Sequence, residues 1–280
     1  MLRSLLSILA LALLSLPCSF AGSPAFRVMS VYDYRYPGYP PLTTFGGAID
    51  AAGNSVGLFT SLEIAGTQSF KRLANGRFSA PIIYPAGAGT ATFVGGLNNA
   101  GLICGSYSPL AGGFHGFFYD GRYTQYDIAG ADETHLFSIN DAGDFVGYFH
   151  TIGAPLVTGF ASINGVVTVL EIPGMTSVLP SAINNLGQMV GQYSDPADPA
   201  RSHGFFRDAD GTFTYPLDYP GSRTSYLSGL NDQQQIVGTW DDANFTQHGL
   251  YLTLQNHFSS YDYVTGGYTV FSRINNKGRI

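Results

Sequence analysis

The feature that most constrains the fold of this chain is a short phrase that recurs six times, as in "AINNLGQMVGQY". The copies begin at Ala48, Gly96, Ser138, Ala182, Gly229 and Arg273, so that successive starts lie 48, 42, 44, 47 and 44 residues apart. A period near 45 residues is typical of β-propeller blades with four strands each. The repeat therefore predicts an all-β propeller of four-stranded blades.

Each repeat contains four short runs of β-branched or aromatic residues. The first run ends at the Ile-Asn or Leu-Asn pair, the second is "VGxY", the third is "HGFxxx" and the fourth ends near "PG". Asn and Asp form local side-chain bonds in turns, and the glycine that follows tolerates a positive φ. We interpret "NNxG" as a hairpin between the first and second strands, and its asparagines as turn residues.

The number of blades follows from counting the runs. The first-strand phrase occurs six times, and "FRVMSVYDYRYPG" near the amino terminus looks like a fourth strand with no partners before it. We predict about six blades in a single domain, residues 22–280, with the last blade shared between the N- and C-terminal segments; five blades is the alternative. Because the sixth phrase stops at Ile280, that blade is either partly built or continued in a longer chain.

Residues 1–21 have the pattern of a secretory signal peptide. Arg3 precedes an apolar run from Leu5 to Leu16, and small residues, Ser19 and Ala21, stand before a plausible cleavage position. The run is shorter than the roughly 20 residues that span a bilayer, so we predict secretion without a membrane span. The expected location is extracellular, with the periplasm or the cell surface as alternatives.

Cysteine and charge restrict the partners. Cys18 leaves with the signal peptide, so Cys104 has no partner for an intrachain disulfide. A lipoprotein role for Cys18 is the competing hypothesis, but Pro17 stands where such signals need a small residue. The net charge is −6, which argues against nucleic-acid binding because that needs clustered positive charge. The sequence predicts no cofactor.

The repeated phrases "INNxGxxVGxY" and "HGFxxxxGxFxxxDxPG" resemble the secreted bacterial repeat family called HAF, after its His-Ala-Phe triplet. The triplet is His-Gly-Phe at His115 and His203, and His-Gly-Leu at His248, whereas Gln68 and Thr158 replace the histidine in two repeats. The resemblance extends over nearly all of the chain after the signal peptide. It implies a propeller-like extracellular protein and carries over no catalytic residues.

The three histidines occupy one repeat position, so a metal-binding ring is conceivable. We predict instead that each makes a local hydrogen bond, because third strands lie far from the propeller axis, and we predict no metal site.

Carboxylates near the ends of four fourth strands are candidates for the channel acids of a propeller glycosidase: Asp127, Glu171, Asp218 and Asp262. Since they recur, they look like repeat consensus, and an active site is expected where the symmetry breaks. No catalytic motif is present.

The variable loops are the predicted place for recognition. Loops from the second to the third strand and from the fourth strand to the next first strand share one face. The candidate binding residues on that face are Tyr39, Asp132, Glu133, His135, Asp195, Asp198, Arg201, Arg223, Asp241 and Asp242. We predict a non-enzymatic binding or cell-envelope module whose partner is a glycan or a surface protein. The alternatives are a carbohydrate-active enzyme and a structural spacer.

Overall fold

The structure is a computed structural model that describes residues 26–29, 32–63, 66–253, 257–263 and 267–280. The predicted signal peptide, residues 1–21, lies outside these ranges. Nineteen β-strands account for the regular structure of the described residues. Within those ranges there is no helix with the length and hydropathy needed to cross a membrane.

The strands form five antiparallel sheets, which are the blades. The first contains β1 (Pro41–Ile49), β2 (Ser55–Ser61) and β3 (Thr67–Arg72). The second contains β4 (Ala91–Leu97), β5 (Ile103–Ser108), β6 (His115–Tyr119) and β7 (Tyr123–Tyr126). The third contains β8 (Glu133–Ile139), β9 (Phe145–His150), β10 (Thr158–Ile163) and β11 (Val166–Val169). The fourth contains β12 (Thr176–Ile183), β13 (Met189–Ser194), β14 (Ser202–Arg207) and β15 (Phe213–Thr214). The fifth contains β16 (Thr224–Leu230), β17 (Gln235–Asp241), β18 (Gln247–Thr253) and β19 (His257–Tyr261).

The predicted propeller of four-stranded blades is confirmed, and the strands of each blade follow one another in sequence order. In the first blade the fourth position is taken by residues 78–82, which form isolated bridges from Phe78 to Arg72 and from Ile82 to Ser69. The main prediction of about six blades is wrong for the described residues, where five sheets form, as the alternative stated.

The sixth phrase explains this difference. Residues 267–280 contain a first-strand sequence but form no strand. The segment nevertheless fills the gap beside the fifth blade, where the Thr269 amide donates to the Gln247 carbonyl at 3.1 Å. The ring of Phe26 packs there too, with its centroid 5.3 Å from that of Phe271 and 4.8 Å from that of Tyr261. The described residues of the two terminal segments therefore meet through side chains, and no β-ladder joins them.

The repeated asparagines are turn residues, as predicted. In the second blade Asn98 Oδ1 accepts from the backbone amides of Ala100 at 3.1 Å and Leu102 at 3.0 Å. Gly101 in the same turn has φ +88°, which explains the glycine. The equivalent bonds recur at Asn140, Asn184, Asn231 and Asn275.

The turn asparagines also join the blades to one another, which the sequence did not predict. Each donates its Nδ2 to the backbone carbonyl of the equivalent residue in the next turn: Asn98 to Asn140, Asn140 to Asn184, Asn184 to Asn231 and Asn231 to Asn275, each at 3.1 Å. Asn275 then donates to the carbonyl of Asp50, in the first blade, at 2.8 Å. The first turn joins the second through the Ala51 amide, which donates to Asn99 Oδ1 at 2.8 Å, so the turn of the sixth phrase completes a ring of six turns around five sheets.

Candidate functional site

The centre of the ring is occupied by an arginine from the sixth phrase. β-Bulges in the first strands of the second to fifth blades interrupt the ladders near Gly95, Phe137, Ser181 and Ser228. Arg273 Nη2 donates to the carbonyls of Phe137 at 3.0 Å, Ser181 at 3.1 Å and Gly95 at 3.4 Å, and Nη1 donates to that of Ser228 at 2.5 Å. One side chain thus bonds four different blades, so its guanidinium must lie on the axis. Burial lowers the pKa of Arg273 to about 10, still well above neutrality.

The three repeat histidines bind aspartates of their own blades. His203 Nδ1 lies 2.6 Å from Asp218, and His248 Nδ1 lies 2.7 Å from Asp262. His115 makes the same contact in the second blade, with both Oδ atoms of Asp127 at 3.2 Å from Nδ1. Across the described ranges no three His, Cys, Asp or Glu side chains come together in a way that could hold a metal ion.

The same pairs decide the position of the predicted channel acids. Three of the four carboxylates, Asp127, Asp218 and Asp262, are each held by a histidine in a separate blade, so they do not gather at one place. The fourth, Glu171, belongs to the blade in which Thr158 replaces the histidine. Of the four carboxylates, Glu171 is therefore the one that has no repeat histidine as a partner.

The ten predicted binding residues lie in the first, third, fourth and fifth blades. Tyr39 bridges Tyr36 in the first blade. Asp132, Glu133 and His135 lie where the chain enters the third blade. The other residues shape loops in the fourth and fifth blades, and their contacts are described next.

Arg201 anchors the loop of residues 195–201 to the segment before the fifth blade. Its Nη2 donates to the Ser222 carbonyl at 2.6 Å, and its Nε donates to the Arg223 carbonyl at 2.7 Å. Within the same loop, Asp198 lies 3.7 Å from the Arg201 guanidinium, and Asp195 Oδ1 accepts from the Ala197 amide at 2.8 Å. These four contacts support the loop.

In the fifth blade the predicted residues also make local contacts. The Arg223 guanidinium carbon lies 4.2 Å from the centroid of the Phe245 ring. Asp241 is buried and accepts from Thr224 Oγ1 at 2.8 Å. Asp242 Oδ1 accepts from the backbone amide of Thr246 at 2.8 Å, and this bond is the main cause that lowers the pKa of Asp242.

His135 is the predicted residue with the most unusual environment. Its ring stacks on Tyr148, with centroids 4.3 Å apart, and contacts the tilted ring of Phe114 at 4.4 Å; its Nδ1 is 3.2 Å from Ser106 Oγ. Burial lowers the pKa of His135 to about 4. The nearest acidic group, Glu133, is 4.0 Å from Nε2 and does not offset that burial.

This environment makes stability depend on pH. The imidazole of the unfolded chain titrates near 6.5, so between about pH 6.5 and 4 the unfolded chain binds more protons than the folded one. The stability that neutral His135 contributes is complete above that window and is lost as the pH falls through it. We expect the melting temperature to fall less between about pH 7 and 4.5 in His135→Phe than in the wild type. His257→Phe, at an exposed histidine, is the matched control, and equal pH slopes in all three proteins would contradict the prediction.

The repeat symmetry breaks most clearly between the third and fourth blades. Elsewhere a backbone amide after the fourth strand donates to a Ser or Thr hydroxyl on the next first strand. The pairs are Tyr34 to Thr44, Tyr84 to Thr92, Ile128 to Thr134, Tyr219 to Ser225 and Tyr263 to Thr269, at 2.9–3.1 Å. In the fourth blade this position is Val178, which has no hydroxyl.

Two further departures accompany that valine. Thr158 stands in place of the histidine, and Ser177 has φ +48°, a conformation that L-residues rarely adopt. The register of β12 against β13 also shifts between Thr176 and Leu179, as that of β1 does between Pro41 and Thr43, in addition to the bulge that all first strands have. The altered residues lie around one cleft.

This cleft, the blade 3–4 cleft, has a volume of about 620 Å³. Its walls come from the outer strands of the third blade and the start of the fourth, and its lining includes Leu156, Thr158, Val169, Glu171, Met175 and Val178. The size is within the usual range of ligand sites. Thr158 and Glu171 were both noticed in the sequence, but their convergence with Val178 could not be predicted without the fold. The departure of these residues from the repeat is the sequence feature that could have indicated the cleft.

No family model and no curated protein matches the chain. Solved structures do: a putative TolB from Agrobacterium tumefaciens has 11% identity and a TM-score of 0.59, with 79% of this chain and 80% of that chain covered. TolB from Acinetobacter baumannii has 12% identity and a TM-score of 0.54 over 79% of this chain, which spans only 53% of the TolB chain. The SapL1 lectin in complex with alpha methyl fucoside has 13% identity and a TM-score of 0.50, with 79% and 80% covered. At these identities the likeness establishes the propeller fold.

Proposed function

We propose that this protein is a secreted, non-enzymatic binding module of the HAF type, and that its ligand occupies the blade 3–4 cleft. The observation that carries the proposal is that three departures from the repeat, at Thr158, Ser177 and Val178, surround one cleft. A repeat position that only maintains the fold is expected to follow the consensus. A cleft formed by non-consensus residues is therefore the place where function is expected.

The composition of the cleft favours binding over hydrolysis. Glu171 is the carboxylate among its lining residues, whereas glycoside hydrolysis generally uses two carboxyl groups on either side of the bond. Asp127, Asp218 and Asp262 lie in other blades, where each is bound to a histidine, so they cannot supply the second carboxyl group.

Secretion belongs to the proposal because the signal-peptide pattern of residues 1–21 supports it. The repeat phrases support the HAF assignment.

The test restores the repeat consensus in the cleft. Thr158→His places the histidine of the second, fourth and fifth blades at this position, so we expect the variant to fold and to keep its melting temperature while the cleft is filled. Screened on immobilised polysaccharides and on a peptide library, the wild type should show saturable binding that Thr158→His loses, by about tenfold or more in affinity. The release of reducing sugar is measured in parallel.

The matched control is the reverse change in the next blade, His203→Thr. It removes the 2.6 Å contact with Asp218 and is expected to reduce stability while leaving binding intact. Binding that survives Thr158→His, or turnover of any polysaccharide, would contradict the proposal.

A further inference from the structure

The lining of the blade 3–4 cleft indicates what kind of partner it accepts. Most of its side chains are apolar, among them Leu156, Val169 and Met175, and none of the described lining residues is aromatic. Sugar rings are commonly held by stacking on aromatic faces and by several polar groups. An aliphatic wall with one carboxylate, Glu171, instead matches a Lys or Arg side chain, which has an apolar stem and a charged end.

Glu171 is free to receive such a cation. It is exposed, and no Lys, Arg or His of the described residues lies within ion-pair distance of it, whereas Asp127, Asp218 and Asp262 each have a histidine. The net charge of −6 also favours a basic partner.

The strand that leads into Glu171 has an open edge. β11 lies at the end of its sheet and pairs only with β10, so one row of its backbone groups is unpaired. Its sequence, VVTV, has no charge or proline, and all four residues are exposed: Val166 by 66%, Val167 by 40% and Val169 by 41%. Proteins usually protect an edge strand with charge, proline or shortness.

The outer strands of the neighbouring blades have features that protect an edge. β15 in the fourth blade has only two residues, and β7 in the second, four residues long like β11, begins directly after the charged Arg122. Leu156 and Ile152, which are 47% and 82% exposed in the adjacent loop, extend the apolar surface of the third blade. An unprotected, apolar edge that ends at a carboxylate-bearing cleft fits the addition of an extended strand from another polypeptide.

We propose, building on the function above, that the partner is a protein segment that pairs with the free edge of β11 in extended form and places a Lys or Arg in the blade 3–4 cleft against Glu171. Backbone bonds to β11 supply affinity that depends little on sequence. Glu171 and the aliphatic wall supply the preference for a basic side chain.

The probes are synthetic heptapeptides of alternating Val and Thr whose central residue is Lys, Glu or norleucine, together with a Lys peptide that is N-methylated at alternate amides. Calorimetry on the full chain should show binding of the Lys peptide and about tenfold or greater weakening for the Glu peptide. N-methylation should abolish binding, because it removes the donors that pair with the strand edge. Glu171→Gln should remove most of the preference for Lys over norleucine.

Val167→Lys, which puts a charge on the edge, should also abolish binding. Thr124→Lys on the exposed side of β7 is the matched control and should bind like the wild type. Melting temperatures confirm that each variant folds. The same proteins are screened against immobilised polysaccharides and examined by sedimentation.

The outcomes separate the two proposals. Polysaccharide binding that Thr158→His removes, without peptide binding, would overturn this inference and leave the binding module standing. Equal affinity for the Lys and Glu peptides, or peptide binding that survives Val167→Lys, would also overturn it. Self-association that Val167→Lys abolishes would assign the edge to a second copy of the chain and reject the basic partner. Failure of all probes would reject both proposals.

Discussion

Arg273→Met is expected to lower the free energy of unfolding by about 3–5 kcal/mol. The side chain donates to carbonyls of four blades as well as to that of Ser272, at 2.8 Å. Methionine fills a similar volume but offers no donor, so the carbonyls around the axis would face an apolar chain. Each buried acceptor without a partner costs about 1–3 kcal/mol.

The loss should also be cooperative, because Arg273 belongs to the segment that completes the ring of turns. The neighbouring Asn275 bonds the first blade, so loosening this segment weakens the contact between the last and first blades. Urea unfolding followed by circular dichroism measures the effect. Lys277→Met is the matched control, since Lys277 is exposed in the same segment and should change stability little. A loss below about 1 kcal/mol for Arg273→Met would show that water can replace the guanidinium.

The extent to which sequence predicts this structure follows from which contacts are local. The hairpins were predictable because an Asn side chain and a glycine within one turn determine them, as at Asn98 and Gly101. The second function of the same asparagine, donation from Nδ2 to the Asn140 carbonyl, joins residues 42 apart and depends on the blades closing into a ring. Repeat spacing predicts that such residues are equivalent but gives no information on whether they touch.

The site was less predictable for the same reason. Polar loop residues such as Arg201 looked like ligand contacts, but Arg201 bonds two backbone carbonyls that only the folded chain brings near. The sequence gives no reason to single out Val178, since valine is common in strands. Its importance is visible only beside the hydroxyl contacts of the other blades, for example Ile128 to Thr134. Departures from the structural repeat are therefore a better guide to the candidate site than polarity.

Gly147→Ala is expected to destabilise the protein by about 3 kcal/mol or more, because the repeated Val-Gly pair marks a close approach of two strands. A Cβ at Gly147 would lie 1.9 Å from the carbonyl oxygen of His135 on the adjacent strand and 3.2 Å from the ring of Phe160. The nearer atom is backbone, so relief requires β8 and β9 to separate and their ladder to weaken. The fully buried Phe160 leaves no room on the other side.

The matched control is Gly143→Ala in the hairpin of the same blade. Gly143 has φ +87°, and nothing lies within 4 Å of a Cβ built there, so the only penalty is the backbone conformation, about 1–2 kcal/mol. Urea unfolding of the two variants separates the two reasons for glycine in one repeat. Equal losses would contradict the close approach, since conformational strain alone would then account for both. A larger loss of unfolding free energy for Gly147→Ala would mean that Gly147 is needed for the short distance between the strands. Gly143 would then be needed only for the conformation of the turn.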